Sequence, residues 1–358
     1  MIRHTDLENY LIRLFEQMGC PQAHAADVAT LLVDAELRGI PSHGLMRVKD
    51  YYQMAKAGRI NLRPQPQVVH QTPSTATVDG DNAFGPVSGL YAMRVAIDKA
   101  RQSGTGWVAV RNSNHFGIAG HYAMMALEHD MIGIALTNAN PLVCPTNSVS
   151  KYLGTNPIAV AIPTQEQPPF VADFATTPIA RGKLALLGKM GERAPQGLLQ
   201  DAEGRPTDDP DILMHGGGIM TLGGDVAHGG HKGFCITALV DIFSAVLGGA
   251  NFGPFVPPQV AYLPLLDRQV GQGLGHFFGA MRIDAFRPVA DFKASMDEWV
   301  ATFRAAKSGA EQPPVQIPGD AERKNAERNR REGISIIPQV LADLNEVAAE
   351  LGVESIDY

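Results

Sequence analysis

Three short apolar runs, each with a cluster of polar residues at one end, constrain this chain more than any other feature. Trp107–Val110, Ile132–Leu136 and Ile158–Ile162 are apolar and rich in β-branched residues, which reads as buried strand. The first delivers Arg111-Asn112-Ser113-Asn114-His115 and the second Thr137-Asn138-Ala139-Asn140-Pro141. Leu153-Gly154-Thr155-Asn156-Pro157 leads into the third, and Pro157 favours an extended residue before it. Strand ends are where α/β sheets place ligands. Phe170–Phe174 reads as a further strand, followed by Ala175-Thr176-Thr177 and Ala180-Arg181-Gly182-Lys183.

Both ends of the chain read as helix. Thr5-Asp6-Leu7-Glu8 has the capping-box pattern, and Leu7, Tyr10, Leu11, Leu14 and Phe15 keep helical spacing up to Gly19. Pro21 opens a second helix that stops at Gly39, and a third is expected from Ser42, as its cap, to Gly58. Other helices are expected over 85–101, 118–128, 234–247, 291–307, 321–331 and 340–351, with an irregular crossing over 190–230. Gly104-Thr105-Gly106-Trp107-Val108-Ala109 matches a dinucleotide-binding GxGxxA only by letter. It lies in a helix-turn-strand context, whereas the fingerprint must follow a strand and open a helix, so a Rossmann domain is not expected.

At 358 residues the chain exceeds what one compact core usually holds. A net charge of -7 gives no electrostatic footprint for nucleic acid or acidic lipid, and no apolar run has membrane-spanning length. Cys20, Cys144 and Cys235 are widely spaced and form no CxxC, which argues against a disulfide framework or structural zinc and fits a reducing cytoplasm. The first residues show no signal-peptide pattern.

Several polar groups could carry chemistry. His43, Arg47 and Tyr51, four residues apart on one expected helix stripe, would put a proton donor beside a guanidinium fork for a carboxylate, with a phenol as third contact. A solvated helix face has the same spacing. His115, at a strand end among glycines, suits a catalytic role or a ring satisfied by loop backbone. Asp225, His228 and His231 have the ligand types of a metal site, which keeps a metal-dependent lyase or hydrolase open. Lys232, in a glycine-rich turn before a helix, suits phosphate.

Pro41-Ser42-His43-Gly44, Asn112 to Gly117, Leu153 to Pro157, Asp173 to Lys183 and His231-Lys232-Gly233 together, in this order along nearly the whole chain, resemble the malate/L-lactate dehydrogenase family. The resemblance implies an α/β fold: a non-Rossmann NAD(P)-binding domain with a mixed sheet (residues 71–289) and a mainly helical domain from both chain ends (residues 1–70 with 290–358). It implies a homodimer, with NAD or NADP as cofactor and no metal. The reaction is hydride transfer between NADH or NADPH and a small 2-oxo acid, with a cyclic imine acid as a variant substrate. By position, His43 and His115 are the candidate catalytic residues, and Arg47, Tyr51, Thr155 and Asn156 the substrate contacts. The cofactor contacts are Asn140, Asp173, Phe174, Ala175, Thr176, Thr177, Pro178, Ile179, Arg181, His231, Lys232, Pro318, Gly319 and Asp320. Arg181 and Lys183 could reach a 2′-phosphate, whereas Asp173 could accept from a free ribose hydroxyl; the two cations favour tolerance of NADPH. Pro145-Thr146-Asn147 departs from the glycine-rich Pro-x-Gly-Gly turn of many relatives, and Phe234-Cys235 from their Tyr-Gly, changes that bear on the substrate pocket.

Overall fold

Alternating strand direction brings the polar strand ends to one rim. The computed structural model describes residues 1–356 and all their side chains except those of residues 185, 186 and 189. Its elements are α1 (His4–Met18), α2 (Gln22–Leu37), α3 (Val48–Lys56), β1 (Gln67–Gln71), β2 (Thr75–Asp79), α4 (Gly85–Ser103), β3 (Thr105–Ser113), α5 (Ala119–Met125), β4 (Met131–Thr137), β5 (Ile158–Ile162) and β6 (Phe170–Phe174). There follow α6 (Arg181–Met190), the short strands β7 (Leu199–Gln200), β8 (Pro206–Thr207) and β9 (Gly218–Ile219), then α7 (Gly230–Asp241), β10 (Leu274–Arg282), α8 (Val289–Arg304), α9 (Asp320–Glu332) and α10 (Pro338–Leu351).

Seven strands form one mixed sheet in the order β1-β2-β3-β10-β4-β5-β6, and only β2 and β3 run parallel. Register fixes the rim: Ser113 faces Leu274, Thr137 faces His276, Leu136 faces Ile158, and Ile158 faces Phe174. The ends of β3, β4 and β6 therefore meet the beginnings of β5 and β10. Because side chains alternate across a strand, Val108 and Val110 enter the core under α4 and α5, while Ala109, with Leu136 and Phe277, packs with Val240 of α7. A second core joins α1, α2 and α3 to α9 and α10, including Leu11, Leu32, Val48, Ala326 and Leu344. Leu31 of α2 belongs to the sheet core and Val87 of α4 to the core of the terminal helices, so α2 and α4 are shared by both.

Several elements differ from expectation for identifiable reasons. The Thr5 capping box does not form: Ile2 bridges Ile334, which keeps the chain extended to Arg3, the N-cap of a helix that has already begun at His4. The third helix is broken into two 3₁₀ turns, Pro41–His43 and Leu45–Arg47, before α3. Glu36 causes the break by reaching into it, as set out below. The helix after His115 is α5 followed by a 3₁₀ turn to His129. The crossing over 190–230 contains a small sheet, β8-β7-β9. The helix expected from Phe234 begins at Gly230, so His231 and Lys232 lie in its first turn rather than before it; a π turn, Ile242–Val246, continues it. α8 lies against the edge strand, Trp299 edge-on to Phe170 at 5.8 Å, and not in the core of the terminal helices.

Candidate active site

The site is built where the two cores meet. Glu36, buried near the end of α2, accepts the Leu45 N–H at 2.8 Å. A methyl group at Gly44 would lie 2.4 Å from the Glu36 carboxylate, so any larger residue would force the Glu36 side chain to move. That close approach folds the Pro41-Ser42-His43-Gly44 stretch into a turn that presents His43. Arg47 then reaches back, its Nε donating to the Ser42 carbonyl at 2.8 Å and its Nη1 pairing with Asp50 at 3.3 Å.

His115 comes from the rim. Upstream of it, the Asn114 amide donates to the Asn82 and Ala83 carbonyls, while Gln259 Oε1 accepts the His115 N–H at 2.8 Å. Behind it runs a buried polar chain: His276 bonds Thr137 Oγ1 and Ser113 Oγ, each at 2.7 Å, and stacks on Phe116 at 4.7 Å. The Tyr51 hydroxyl lies 2.9 Å from His115 Nδ1 and 3.2 Å from the His115 carbonyl oxygen. The His43 and His115 rings stack with centroids 5.4 Å apart, and Ser42 Oγ lies 3.0 Å from His43 Nδ1. The expected stripe of His43, Arg47 and Tyr51 does not exist as one helix face, yet Tyr51 and His43 both converge on His115.

Electrostatics keep both rings neutral. Burial, reinforced by the Arg47 guanidinium, pushes His43 down to about 4. The same causes, with small contributions from His43 and His276, hold His115 well below the ordinary histidine range. An unprotonated imidazole beside a fixed cation can take the proton of an alcohol whose carboxylate is held by the cation, and the imidazolium so formed can return it to the carbonyl.

A cleft of about 430 Å³ lies between α5, β6 and the start of α9, lined by Arg38, Ile40, Gly120, Asp173, Phe174, Pro318, Gly319 and Glu322 among others. Asp173 accepts the Gly120 N–H at 2.7 Å. Although part of its surface opens on the cleft, the protein around it raises its carboxyl to about 6, and Glu322 adds to the rise. Arg38 is held by Asp34 through both carboxylate oxygens at 3.0 Å.

Of the expected cofactor contacts, Asp173, Phe174, Pro318 and Gly319 thus share one cleft. Asp320 is turned away from that role: it is buried, paired with Arg304 at 2.7 Å and Arg323 at 2.9 Å, and accepts the Ile317 N–H. Asn156 is likewise spent on the fold, its Oδ1 accepting from Ala139 N and its Nδ2 donating to the Thr237 carbonyl, which ties the rim to α7. Thr155 lends its carbonyl to Thr176, and Thr177 bonds the Ile179 carbonyl. Asn140, Ala175 and Pro178 are half-buried along the same rim segments. Arg181 opens α6 near Ser42, away from the Asp173 cleft. His231 and Lys232 are exposed on the first turn of α7, whose Gly230 and Lys232 N–H groups are already given to the Asp225 and Gly229 carbonyls. Asp225 and His228 pair at 2.7 Å, and among the described residues His231 does not complete a metal-binding group with them.

Glu36, Gln259 and His276 were not singled out from the sequence. His276 alone left a signal, an imidazole set in an otherwise apolar strand; Glu36 and Gln259 act through contacts distant in the chain.

A model of the malate/L-lactate dehydrogenase family matches residues 2–345. The chain belongs to that family. It is 39% identical to a malate dehydrogenase of Pyrococcus abyssi over 357 residues, 99% of this chain and 96% of the relative. It is 35% identical to an L-sulfolactate dehydrogenase of Methanocaldococcus jannaschii, covering 100% and 99% of the two chains. The solved malate dehydrogenase of Entamoeba histolytica superposes with a TM-score of 0.92 at 30% identity, covering 100% and 99%. The protein is therefore an oxidoreductase that interconverts a 2-hydroxy acid and a 2-oxo acid with a nicotinamide cofactor, on a mixed-sheet fold that lacks the Rossmann fingerprint.

Proposed function

We propose that the substrate carboxylate sits on Arg47 and that His115 exchanges the proton at the 2-oxygen. The observation that carries this reading is the Tyr51–His115 pairing. The Tyr51 hydroxyl at 2.9 Å and the Gly117 N–H at 3.4 Å both engage Nδ1, so Nε2 is the ring nitrogen left to meet the substrate oxygen. A neutral Nε2 takes the hydroxyl proton in the oxidising direction and returns it to the carbonyl oxygen in the reducing one. His43, stacked beside it and oriented by Ser42, bounds the other side of the reacting oxygen.

The cleft of Asp173, Phe174, Pro318 and Gly319, with Lys232, would hold the nicotinamide cofactor, which would supply the hydride when reduced and receive it when oxidised. We infer a preference for NADH. Asp173 suits a ribose hydroxyl, and with Glu322 in the same wall and Arg38 engaged by Asp34, a 2′-phosphate would meet mainly negative charge. This reverses the lean drawn from Arg181. The assembly is a homodimer formed through the exposed apolar face of α7, and three free thiols suit the reducing cytoplasm.

The test is a panel of pyruvate, oxaloacetate, 3-sulfopyruvate and a cyclic imine acid, each with NADH and NADPH, on chelator-treated protein. The expected result is metal-independent NADH oxidation with a linear 2-oxo acid. Turnover confined to the cyclic imine, or dependent on added metal, would overturn the assignment.

A further inference from the structure

Arg181 stands at the His43 end of the site rather than beside Asp173. It is the first residue of α6, and a methyl group placed on the next residue, Gly182, would lie 3.9 Å from Cβ of Ser42, the neighbour of His43. Burial raises the Asp50 carboxyl, and the charge of Arg181 opposes that rise after the larger effect of Arg47, with which Asp50 pairs at 3.3 Å. Arg181 is thus within electrostatic reach of the carboxylate that Arg47 pairs with, without pairing with it. The two arginines are differently committed: Arg47 is tied to the Ser42 carbonyl and to Asp50, whereas among the described residues the exposed Arg181 guanidinium has no hydrogen-bond partner. A cation beside the mouth of a site that already holds one carboxylate on Arg47 is placed to meet a second anionic group on the same small molecule.

We infer that Arg181 is a specificity-determining residue that reads a second anionic group, carboxylate or sulfonate, at the far end of the substrate. This deepens the reading in which Arg47 takes the first carboxylate, and rests on it. The preferred substrate is then a short 2-oxo acid with acid groups at both ends. Pyruvate, which ends in a methyl group, leaves Arg181 without a partner and is a poorer substrate. The role differs from recognition of a 2′-phosphate, because it places the charge of Arg181 on the substrate side of the site.

The experiment compares kcat/KM for oxaloacetate and pyruvate at saturating NADH in wild type, Arg181→Gln, Arg181→Lys and Lys183→Gln, and measures the NADPH dissociation constant of each. The oxaloacetate-to-pyruvate ratio should fall at least about tenfold in Arg181→Gln, the loss expected for one charged hydrogen bond, and recover in part in Arg181→Lys. Lys183→Gln removes an equal charge from the same helical turn and should shift the ratio less than about twofold. NADPH affinity should follow no such pattern. An unchanged ratio in Arg181→Gln overturns the inference while leaving the 2-oxo acid reading intact. An equal fall in Lys183→Gln, or a loss in Arg181→Gln confined to NADPH affinity, overturns it as well. A wild type inactive on every 2-oxo acid overturns both readings at once.

Discussion

His115 is kept neutral first by burial and then by the Arg47 cation, both of which disfavour the imidazolium, and this sets a direction for the pH dependence of the enzyme. Hydroxy-acid oxidation needs the unprotonated ring. With cofactor saturating, kcat/KM should hold as pH falls through 6.5 and decline only at more acidic values. Arg47→Gln removes the cationic contribution, so the acidic limb should move upward while KM rises. His115→Ala should lose about 100-fold or more in turnover with cofactor binding retained. An acidic limb near 6.5 in wild type, or one that moves down in Arg47→Gln, would contradict the assignment. Tyr51 was legible from the sequence as a neighbour of His43 and Arg47, but its contact with His115 was not, because hydrogen bonding across 64 residues has no local signature.

At the scale of the element, the turn that carries His43 depends on a glycine whose reason lies in another helix. Gly44→Ala would drive a methyl group into the buried, hydrogen-bonded Glu36 carboxylate, an overpacking conflict costing about 1–3 kcal/mol of stability. Turnover should fall with it, since Ser42 and His43 ride on the same turn. The double variant Glu36→Ala/Gly44→Ala removes the obstacle, so its loss in melting temperature should be smaller than the sum of the two single losses; strict additivity would mean that Glu36 is not what excludes the side chain. This element also marks the limit of reading spacing as structure. Ser42 to Gly58 has good helical periodicity, and α3 exists from Val48, but the tertiary contact of Glu36 with Leu45 overrides the local preference for the first turn and a half. The strands fared differently: Trp107–Val110, Ile132–Leu136 and Ile158–Ile162 all lie within β3, β4 and β5, because a short apolar run rich in β-branched residues is recognisable without its partner. Their antiparallel order was not legible, and it is that order which carries Thr155 and Asn156, at the start of a strand, to the same rim as His115 at the end of one.

For the whole molecule, the outer face of α7 and its π extension is the feature left unexplained by a single chain. Ile236, Leu239, Ile242, Phe243, Val246 and Leu247 are exposed, Leu239 at 52% and Leu247 at 58%. Between Lys232 and Asp267 the only charged residue is Asp241, and it is buried. A contiguous apolar face of this kind is normally covered, and one that carries no charge can lie against its own copy across a two-fold axis without like-charge repulsion. Leu239→Asp would place two carboxylates at that contact, once from each copy, and remove about 1.5–3 kcal/mol of apolar burial per copy before any repulsion is added. The dimer dissociation constant should rise at least about 100-fold. Because Leu239 is exposed in the single chain, the helix content and melting of the separated subunit should not report a folding defect. Sedimentation of wild type at micromolar concentration should give twice the 38.4 kDa chain mass, and the variant a single chain. A wild type that sediments as one chain at that concentration sinks the dimer reading outright, and a Leu239→Asp variant that stays paired moves the interface to a different face of the protein.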